Sequence, residues 1–223
     1  MQPIPNPPNP PKLVIFDCDG VLVDSPRLVN QAILRVLASY GLQLTLDEVL
    51  KNLKGLLNAD IRDVVASRWG VALPENFTDV MEDAEWAAME EGLLPVEDAE
   101  TAVRAVVASG VATCVASNGP LKDIEHRLRL TGLFSFFEGR LFSAYTVPRA
   151  KPHPDVFLHA ASTMGYPPSE CAVIEDSDPG IQAALAAGMR VLAYAATSDT
   201  TFADAAGVQT FTDMTTLPAL LGL

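Results

Sequence analysis

The sequence predicts an α/β fold, a doubly wound Rossmann-like parallel sheet with an inserted α-helical cap domain. Short apolar runs alternate with helical patterns along most of the chain, and the runs are continuously apolar and rich in β-branched residues, which is typical of strands covered on both faces. Residues 27–96 show helical patterns only. We therefore expect residues 12–26 and 97–223 to form the core and residues 27–96 to form the cap.

Size and composition agree with one folded core that carries an insertion. Of the 223 residues, 49% are hydrophobic and 19% are charged, so a sizeable core can form. The formal net charge of −13 disfavours nucleic acid and anionic membrane surfaces as partners. An anionic substrate must therefore be bound by a local feature, such as a metal ion, a helix N-terminus or a few placed cations.

Six apolar runs are the predicted strands. They span residues 13–19, 111–117, 140–144, 171–176, 190–195 and 208–212, of which the last is the weakest. Helical patterns between them predict core helices at 97–109, 120–131, 154–164, 179–187 and 213–222. The insertion is expected to hold four more helices, at 26–40, 45–54, 59–69 and 77–91.

Prolines and glycines agree with these boundaries. Three prolines fall at predicted first helical positions, where a missing N–H costs nothing, and three glycines follow predicted helix ends. They are Pro120, Pro154 and Pro179, and Gly110, Gly132 and Gly188. The first eleven residues contain six prolines, so residues 1–11 are expected to be a disordered leader outside the fold.

The three cysteines, Cys18, Cys114 and Cys171, lie inside or beside apolar runs without CxxC spacing. They are predicted to be buried, reduced thiols and not a redox or zinc pair. The chain shows neither a signal peptide nor an apolar run of about 18 residues, so we expect a cytoplasmic protein.

Two carboxylates follow the first apolar run, in the sequence Asp17-Cys18-Asp19-Gly20. Their alternate spacing predicts that both lie on one face of the strand, at its carboxyl end. Ligands of open α/β sheets bind at that edge, and adjacent carboxylates repel each other unless a cation or a shared proton intervenes. A turn or helix-capping role for the aspartates is the alternative.

Polar donors follow later strands. Ser117 and Asn118 come where an apolar run stops and a helix opens, so they could receive a phosphate, or they could simply cap the helix. Lys151 lies in a proline-flanked loop and could hold a phosphoryl oxygen, or it could be a solvated surface lysine.

Another acidic pair, Glu175 and Asp176, follows the run CAVI. It brings further carboxylates to the edge that already holds Asp17 and Asp19, and such an oxygen-rich site is what a hard divalent ion such as Mg²⁺ requires. The next residues, Ser177 and Asp178, are better explained as helix caps.

These four elements occur in the order Asp-x-Asp, Ser117, Lys151, acidic pair, each at a strand end or in an adjoining loop. In this the chain resembles the haloacid dehalogenase superfamily of hydrolases, from Lys12 to about Gly207. The helical insertion is similar to the C1 cap of the subgroup with 6-phosphogluconate phosphatase-like, phosphoglycolate phosphatase-like and β-phosphoglucomutase-like proteins. The segments VASNGP, KPHPDVF and IEDSDPGIQAALAAG look closest to its sugar-phosphate phosphatases.

The resemblance implies a phosphatase that works through an aspartyl-phosphate. Asp17 would be the nucleophile, and Asp19 would protonate the leaving oxygen and later deprotonate the attacking water. The implied ligands of the phosphoryl oxygens are Ser117, Asn118 and Lys151.

The resemblance also implies a Mg²⁺ site. Its ligands would be Asp17, Asp176, the backbone carbonyl of Asp19 and Glu175, and whether Glu175 touches the metal directly or through water stays open. The acidic pair favours phosphate over an alkyl halide, which argues against dehalogenation itself.

Two alternatives remain beside a phosphatase. A β-phosphoglucomutase-like transferase would carry a His shortly after the first motif, but the stretch 26–30 lacks one, and where the mutase cap has an Arg after its Lys-Gly this chain has Leu56-Leu57-Asn58. The second alternative is a catalytically inactive protein that keeps the fold and serves as a binding module.

Substrate choice is expected to lie in the cap. Lys51, Asn52, Lys54 and Gly55 form a basic, amide-bearing patch that could meet a sugar-acid carboxylate, as in a 6-phosphogluconate-like ligand, or could be an ordinary solvated helix face.

The remaining expectations concern partners and other conspicuous side chains. The expected partner is a small phosphorylated metabolite, with no nucleic acid and no membrane, and the protein is expected to be a monomer or a weak homodimer. Trp69 and Trp86 are expected in the cap core. His126, His153 and His159 show no metal-ligand spacing, although His153 could line the site next to Lys151.

Overall fold

A computed structural model describes residues 9–53, 56, 58–196 and 207–223. The chain divides into two compact units. The first, here the core unit, comprises the chain up to Asp24 and from Leu94 onward, and the second, here the helical unit, is Ser25–Leu93. Most of the proline-rich leader lies outside the described residues.

A parallel sheet forms the centre of the core unit. Within the described residues its strands are β1 (Leu13–Phe16), β2 (Ala112–Ser117), β3 (Leu141–Ser143), β4 (Cys171–Glu175), β5 (Arg190–Tyr194) and β6 (Val208–Phe211). They are arranged in the order β3-β2-β1-β4-β5-β6, and all neighbours are parallel. The doubly wound α/β prediction is therefore confirmed.

The sheet has its topological switch point at β1. The chain continues from β1 to β2 and β3 on one side, whereas β4, β5 and β6 extend the other side. In such sheets the loops at the carboxyl ends on both sides of the switch point diverge and leave a crevice for a ligand. The loops after β1, β2 and β4 are therefore the place to look for a site.

The helices alternate with the strands in the core unit and stand alone in the helical unit. In chain order they are α1 (Ser25–Ser39), α2 (Leu46–Asn52), α3 (Asn58–Trp69), α4 (Phe77–Gly92), α5 (Ala99–Ala108), α6 (Leu121–Leu130), α7 (Asp155–Met164), α8 (Asp178–Ala186) and α9 (Leu217–Leu221). None of the helices within the described residues combines the length and the apolar composition that a membrane-spanning segment requires.

Each unit has its own apolar core. Ile15 and Val173 of adjacent strands pack with Phe157 of α7 and Ile181 of α8 in the core unit, and all four are fully buried. This burial explains why the central strands β1 and β4 are apolar at every position before their last carboxyl-end residue, since helices cover the sheet there. The buried thiols expected at Cys18, Cys114 and Cys171 are confirmed as well.

The helical unit buries side chains from all four of its helices, among them Leu37, Val49, Ile61 and Met81. A capping box at Thr45 and Glu48 starts α2, because each side chain accepts a hydrogen bond from the other's backbone N–H. Trp69 packs against this core. The expectation for Trp86 was wrong, since 42% of its surface is exposed.

The largest differences from the predicted boundaries are at β1 and at α9, which begins at Leu217 and not at residue 213 because a short 3-10 turn capped by Asp213 precedes it. Other helix starts differ by up to two residues. The strand ends at Phe16 and not at residue 19, because the backbone turns and the N–H groups of Leu22 and Val23 donate to the carbonyl of Cys18. Asp17 and Asp19 therefore lie on a loop and not on one face of a strand. Two of the predicted first helical residues, Pro120 and Pro154, precede their helices by one position.

Candidate active site

Four of the sequence-predicted residues lie directly at the ends of adjacent strands. Asp17 follows β1, Ser117 ends β2, Glu175 ends β4, and Asp176 comes next. The backbone N–H of Asp17 donates to the carbonyl of Ile174 on β4, at 2.9 Å. This hydrogen bond holds the start of the loop after β1 against the end of β4. Parallel register thus brings three separate sequence motifs into one cluster.

Lys151 occupies the centre of this cluster. Its Nζ donates to Asp17 Oδ1 (2.5 Å), to Glu175 Oε1 (2.8 Å) and to the carbonyl of Ala116 (3.0 Å), and it lies 4.7 Å from the ring centroid of Phe157. The side chain is only 3% exposed. The interpretation of Lys151 as a solvated surface lysine is wrong, because its ammonium is buried between two carboxylates.

Glu175 is fully buried and held by several hydrogen bonds. While Oε1 accepts from Lys151, Oε2 accepts from the backbone N–H of Asp176 and of Ser177 (both 2.8 Å) and from Ser177 Oγ (2.9 Å). Ser177 also caps α8, since its Oγ accepts from the N–H of Gly180, which confirms the cap predicted there. Glu175 thereby fixes both Lys151 and the loop between β4 and α8.

Three carboxylates lie close enough to share a cation. Asp17, Glu175 and Asp176 each offer one oxygen, and these oxygens lie within 4.8 Å of one another in the described part of the chain. Gly20, in the loop after β1, lies beside this cluster and has a φ of +83°, which suits glycine. A Cβ at Gly20 would collide with the carboxylate of Asp176, so the loop after β1 packs directly on that side chain.

The electrostatics of the cluster favour an additional positive charge. Burial raises the pKa of Asp17 to about 7, although the ammonium of Lys151 acts in the opposite direction. Burial, reinforced by the charges of Glu175 and Asp17, also raises the pKa of Asp176. For Lys151, burial lowers the pKa, but Asp17 and Glu175 outweigh it, so the lysine stays charged. One ammonium is thus too little charge for three buried carboxylates.

The loop after β2 is tied down by neighbouring strands. Ser117 Oγ accepts from the N–H of Gly119 (3.1 Å), and Asn118 Oδ1 accepts from the backbone N–H of Lys151 (3.0 Å). Ser143, at the end of β3, donates its Oγ hydrogen to the carbonyl of Gly119 at 2.6 Å. The sequence analysis missed Ser143, since a lone serine inside a short apolar run carries no recognisable signal.

Asp19 makes a different contact from the other acids. Nη1 of Arg127, on α6, donates to both Asp19 oxygens at 2.7 Å. Burial alone lowers the pKa of Arg127, but the Asp19 carboxylate raises it, so the guanidinium is charged. The sequence analysis also missed Arg127. The pattern that could have revealed it is its position on α6: Arg127 lies three residues after Ile124 and next to Leu128, the two buried residues of that helix, so its charge lies beside the buried face.

The candidate specificity residues of the helical unit are only partly described. Lys51 is exposed in the last turn of α2, and Asn52 donates its side-chain amide to the carbonyl of Glu48 at 2.7 Å. Lys54 and Gly55 lie outside the described residues.

In the core unit, His153 is exposed and its backbone N–H donates to the carbonyl of Ala150, so it behaves as a surface loop residue.

Comparisons with known proteins agree with this geometry. Residues 11–188 match the family of haloacid dehalogenase-like hydrolases. The chain is 33% identical over 208 residues to the 6-phosphogluconate phosphatase of Escherichia coli K12, which covers 93% of both proteins. It is 34% identical over 183 residues to hexitol phosphatase B of the same strain, covering 79% of this chain and 80% of the relative.

A solved structure extends the likeness to three dimensions. A haloacid dehalogenase family hydrolase from Deinococcus radiodurans R1, solved with bound phosphate and sodium, superposes with a TM-score of 0.85 at 31% identity and 96% coverage of both chains. The resemblance inferred from the motifs is thus confirmed. With its buried acidic cluster at the switch point of a parallel sheet, this chain belongs to the haloacid dehalogenase-like hydrolase family and is a phosphoric monoester hydrolase.

Proposed function

We propose that the protein is a Mg²⁺-dependent phosphatase that hydrolyses a small sugar phosphate or phospho-sugar acid through an aspartyl-phosphate on Asp17. One observation carries the proposal. The Asp17 carboxylate lies at the carboxyl edge of the sheet, 2.5 Å from a buried ammonium and within 4.8 Å of two further carboxylates. A nucleophile needs such an environment when the group that it attacks is itself anionic.

In the first step, a carboxylate oxygen of Asp17 attacks phosphorus, and the bond from phosphorus to the sugar oxygen breaks. Asp19 begins this step protonated, donates its proton to the departing alkoxide and becomes a carboxylate. In the second step, water attacks the phosphorus of the aspartyl-phosphate and Asp19 removes its proton, so inorganic phosphate leaves and both aspartates return to their initial states. The exposed fraction of the Asp19 side chain, 30%, is compatible with contact to substrate and water.

Three residues, Ser117, Asn118 and Lys151, are proposed to orient the phosphoryl oxygens or to stabilise their charge. The Oδ1 of Asn118 already accepts a hydrogen bond from Lys151, which leaves its amide nitrogen as the donor. Ser117 contributes its hydroxyl. All three protons of the Lys151 ammonium already have acceptors, so Lys151 acts on the phosphoryl group mainly through its charge beside Asp17.

The donor set fits Mg²⁺. Hard divalent cations prefer carboxylate and carbonyl oxygens, and Asp17 and Asp176 supply carboxylates at suitable separation, to which the proposal adds the backbone carbonyl of Asp19. Both oxygens of Glu175 already accept hydrogen bonds, which favours indirect contact through water. The bound ion would act as a Lewis acid and screen the phosphoryl group from the carboxylates.

The substrate class rests on the relatives. The one that covers 93% of this chain is named a 6-phosphogluconate phosphatase, and another is named a hexitol phosphatase. We propose that the helical unit acts as the cap that distinguishes leaving groups, with Lys51, Asn52, Lys54 and Gly55 as candidate contacts. A Lys54→Ala variant should then change relative rates across a set of phosphosugars, and unchanged ratios would remove Lys54 from the set.

The direct test is phosphate release from a panel of sugar phosphates that includes 6-phosphogluconate, measured with Mg²⁺ and with EDTA. We expect release that depends on Mg²⁺ and is highest for phosphorylated sugars or sugar acids. Equal phosphate release in EDTA and in Mg²⁺ would contradict the proposed dependence on a metal ion. Absence of release, combined with glucose 6-phosphate formation from glucose 1-phosphate and a bisphosphate primer, would instead identify a mutase.

Metal affinity should depend on pH. Because the pKa of Asp17 is raised to about 7 and that of Asp176 is also raised, Mg²⁺ must displace protons that the metal-free cluster retains. Binding should tighten as the pH rises through neutrality, by up to about tenfold per pH unit for each proton displaced. Calorimetric titrations in buffers of different ionisation enthalpy measure this proton release. An affinity independent of pH would contradict the account.

The Gly180→Ala variant should lose activity for a steric reason. An added Cβ would collide with the Glu175 carboxylate, which is held by Lys151 and by the loop that starts α8. Alanine is the better helix former, yet we expect a net loss of about 1–3 kcal/mol of stability, because overpacking outweighs propensity. Thermal unfolding and phosphate release measure the two effects. Gly92→Ala is the matched control, since a Cβ there meets nothing within 4 Å; equal behaviour of both variants would contradict the packing.

A further inference from the structure

An ion pair between Arg127 and Asp19 joins α6 to the loop after β1. It joins residues 108 positions apart, and both Asp19 oxygens accept from the same guanidinium nitrogen at 2.7 Å. The side chains are 18% and 30% exposed, so the pair lies at the border between the interior and solvent. Asp19 is thereby held toward α6, whereas the carboxylates of Asp17, Glu175 and Asp176 form the separate group described above.

A basic residue near the C-terminus of a helix is often explained by the helix dipole. Arg129, two positions further along α6, fits that explanation, since its side chain is 54% exposed and it pairs with Glu125 one turn earlier. Arg127 does not, because it points to the loop after β1. Its Nε is buried without a hydrogen-bond partner in the described part of the chain, so the polar contact of this guanidinium is concentrated on Asp19.

Proton transfer by Asp19 demands a defined carboxylate position. A general acid must reach the leaving oxygen within hydrogen-bond distance, and a small misplacement strongly reduces the rate. Asp19 lies on a loop beyond the end of β1 and is less buried than Asp17, so sheet packing alone does not fix its side chain. Arg127 extends from a helix that packs on the core through Ile124 and Leu128, and it can supply that constraint.

We infer that Arg127 is a positioning residue that orients the Asp19 side chain, which carries a proton when the leaving group departs, for proton transfer to that group. The inference rests on the proposed function, in which Asp19 is the general acid and base. Arg127 itself need not touch the substrate. Its loss should therefore matter in proportion to the leaving group's need for a proton.

The test compares two leaving groups in the Arg127→Met variant. An alkyl phosphate such as 6-phosphogluconate releases a strongly basic alkoxide, whereas p-nitrophenyl phosphate releases a phenolate that leaves without a proton. We expect kcat/KM for 6-phosphogluconate to fall by about 10- to 100-fold and kcat/KM for p-nitrophenyl phosphate to fall by about threefold or less. Arg127→Lys keeps a cation and one donor, and it should recover part of the loss.

Two controls separate positioning from general damage. Arg129→Met removes the neighbouring exposed arginine and should leave both substrates near the wild-type rate. In an Asp19→Asn background, Arg127→Met should produce no further loss on 6-phosphogluconate, because a residue that acts through Asp19 has nothing left to position. If Arg127→Met fails to fold, Arg127→Lys provides the same comparison of leaving groups at smaller amplitude.

The outcomes are distinguishable. Equal losses on both substrates, losses that multiply with Asp19→Asn, or no loss at all would overturn the role of Arg127 while leaving the phosphatase proposal intact. Wild-type protein that hydrolyses neither substrate would overturn the proposed function, and with it the acid role of Asp19 on which the inference depends.

Discussion

Asp17→Asn should abolish phosphate release while the protein remains folded. The substitution keeps the shape of the side chain and an oxygen that can accept from Lys151 Nζ, so the contacts of the β1 loop persist. It removes the negative charge and the nucleophilicity that attack on phosphorus requires. We expect a fall in kcat of about four orders of magnitude or more, as is seen when the nucleophile of a hydrolase is removed.

The control for this prediction is Asp79→Asn, which neutralises an exposed aspartate in the first turn of α4. It should leave kcat within about twofold of wild type, since surface substitutions away from a site usually have small effects. Circular dichroism and thermal unfolding verify that both variants fold. A folded Asp17→Asn enzyme with activity near that of the control would refute Asp17 as the nucleophile.

Lys151→Met should damage stability and catalysis together. Methionine fills a similar volume, but it leaves the carboxylates of Asp17 and Glu175 buried and without their shared cation. Breaking a buried ion pair in this way costs about 3–5 kcal/mol. The loss should grow as the pH rises, because burial raises the pKa of Asp17, and Lys151, which opposes that shift, is absent in the variant, so ionisation of Asp17 favours unfolding.

Catalysis should fall by about 100-fold or more in the same variant, since the charge beside Asp17 that stabilises the incoming phosphoryl group is absent. Denaturant unfolding at several pH values and phosphate release measure the two effects. Lys122→Met is the matched control, because Lys122 is exposed in the first turn of α6 and should tolerate the change. Stability of Lys151→Met equal to that of the control would contradict a structural role for the buried ammonium.

Much of the site could be predicted because strand ends are visible in a sequence. A buried parallel strand is apolar at every position, so the first polar residue after it marks the carboxyl edge of the sheet. This reasoning found Asp17, Ser117 and Glu175, and the structure places all of them at the ends of adjacent strands. The boundary of β1 was less accurate, because the turn at Cys18 depends on backbone hydrogen bonds that composition does not reveal.

The sequence did not reveal which side chains contact each other. Lys151 stands among prolines in a loop, and a loop lysine is ordinarily solvated; only the packing of that loop against β1 and β4 buries it. Arg127 and Ser143 are common residues at ordinary positions, and their roles follow from tertiary contacts with Asp19 and with the loop after β2. Partners that are distant in sequence cannot be read from local patterns.

The central claim is that the phosphoryl group passes through a covalent bond to Asp17. The most direct measurement is a rapid acid quench of the enzyme during turnover with Mg²⁺ and a labelled sugar phosphate, followed by peptide mapping. The account predicts an acid-stable, base-labile phosphoryl label on the peptide that contains Asp17, and no label in Asp17→Asn. Label on another residue, or full turnover with no labelled protein at any time, would contradict it.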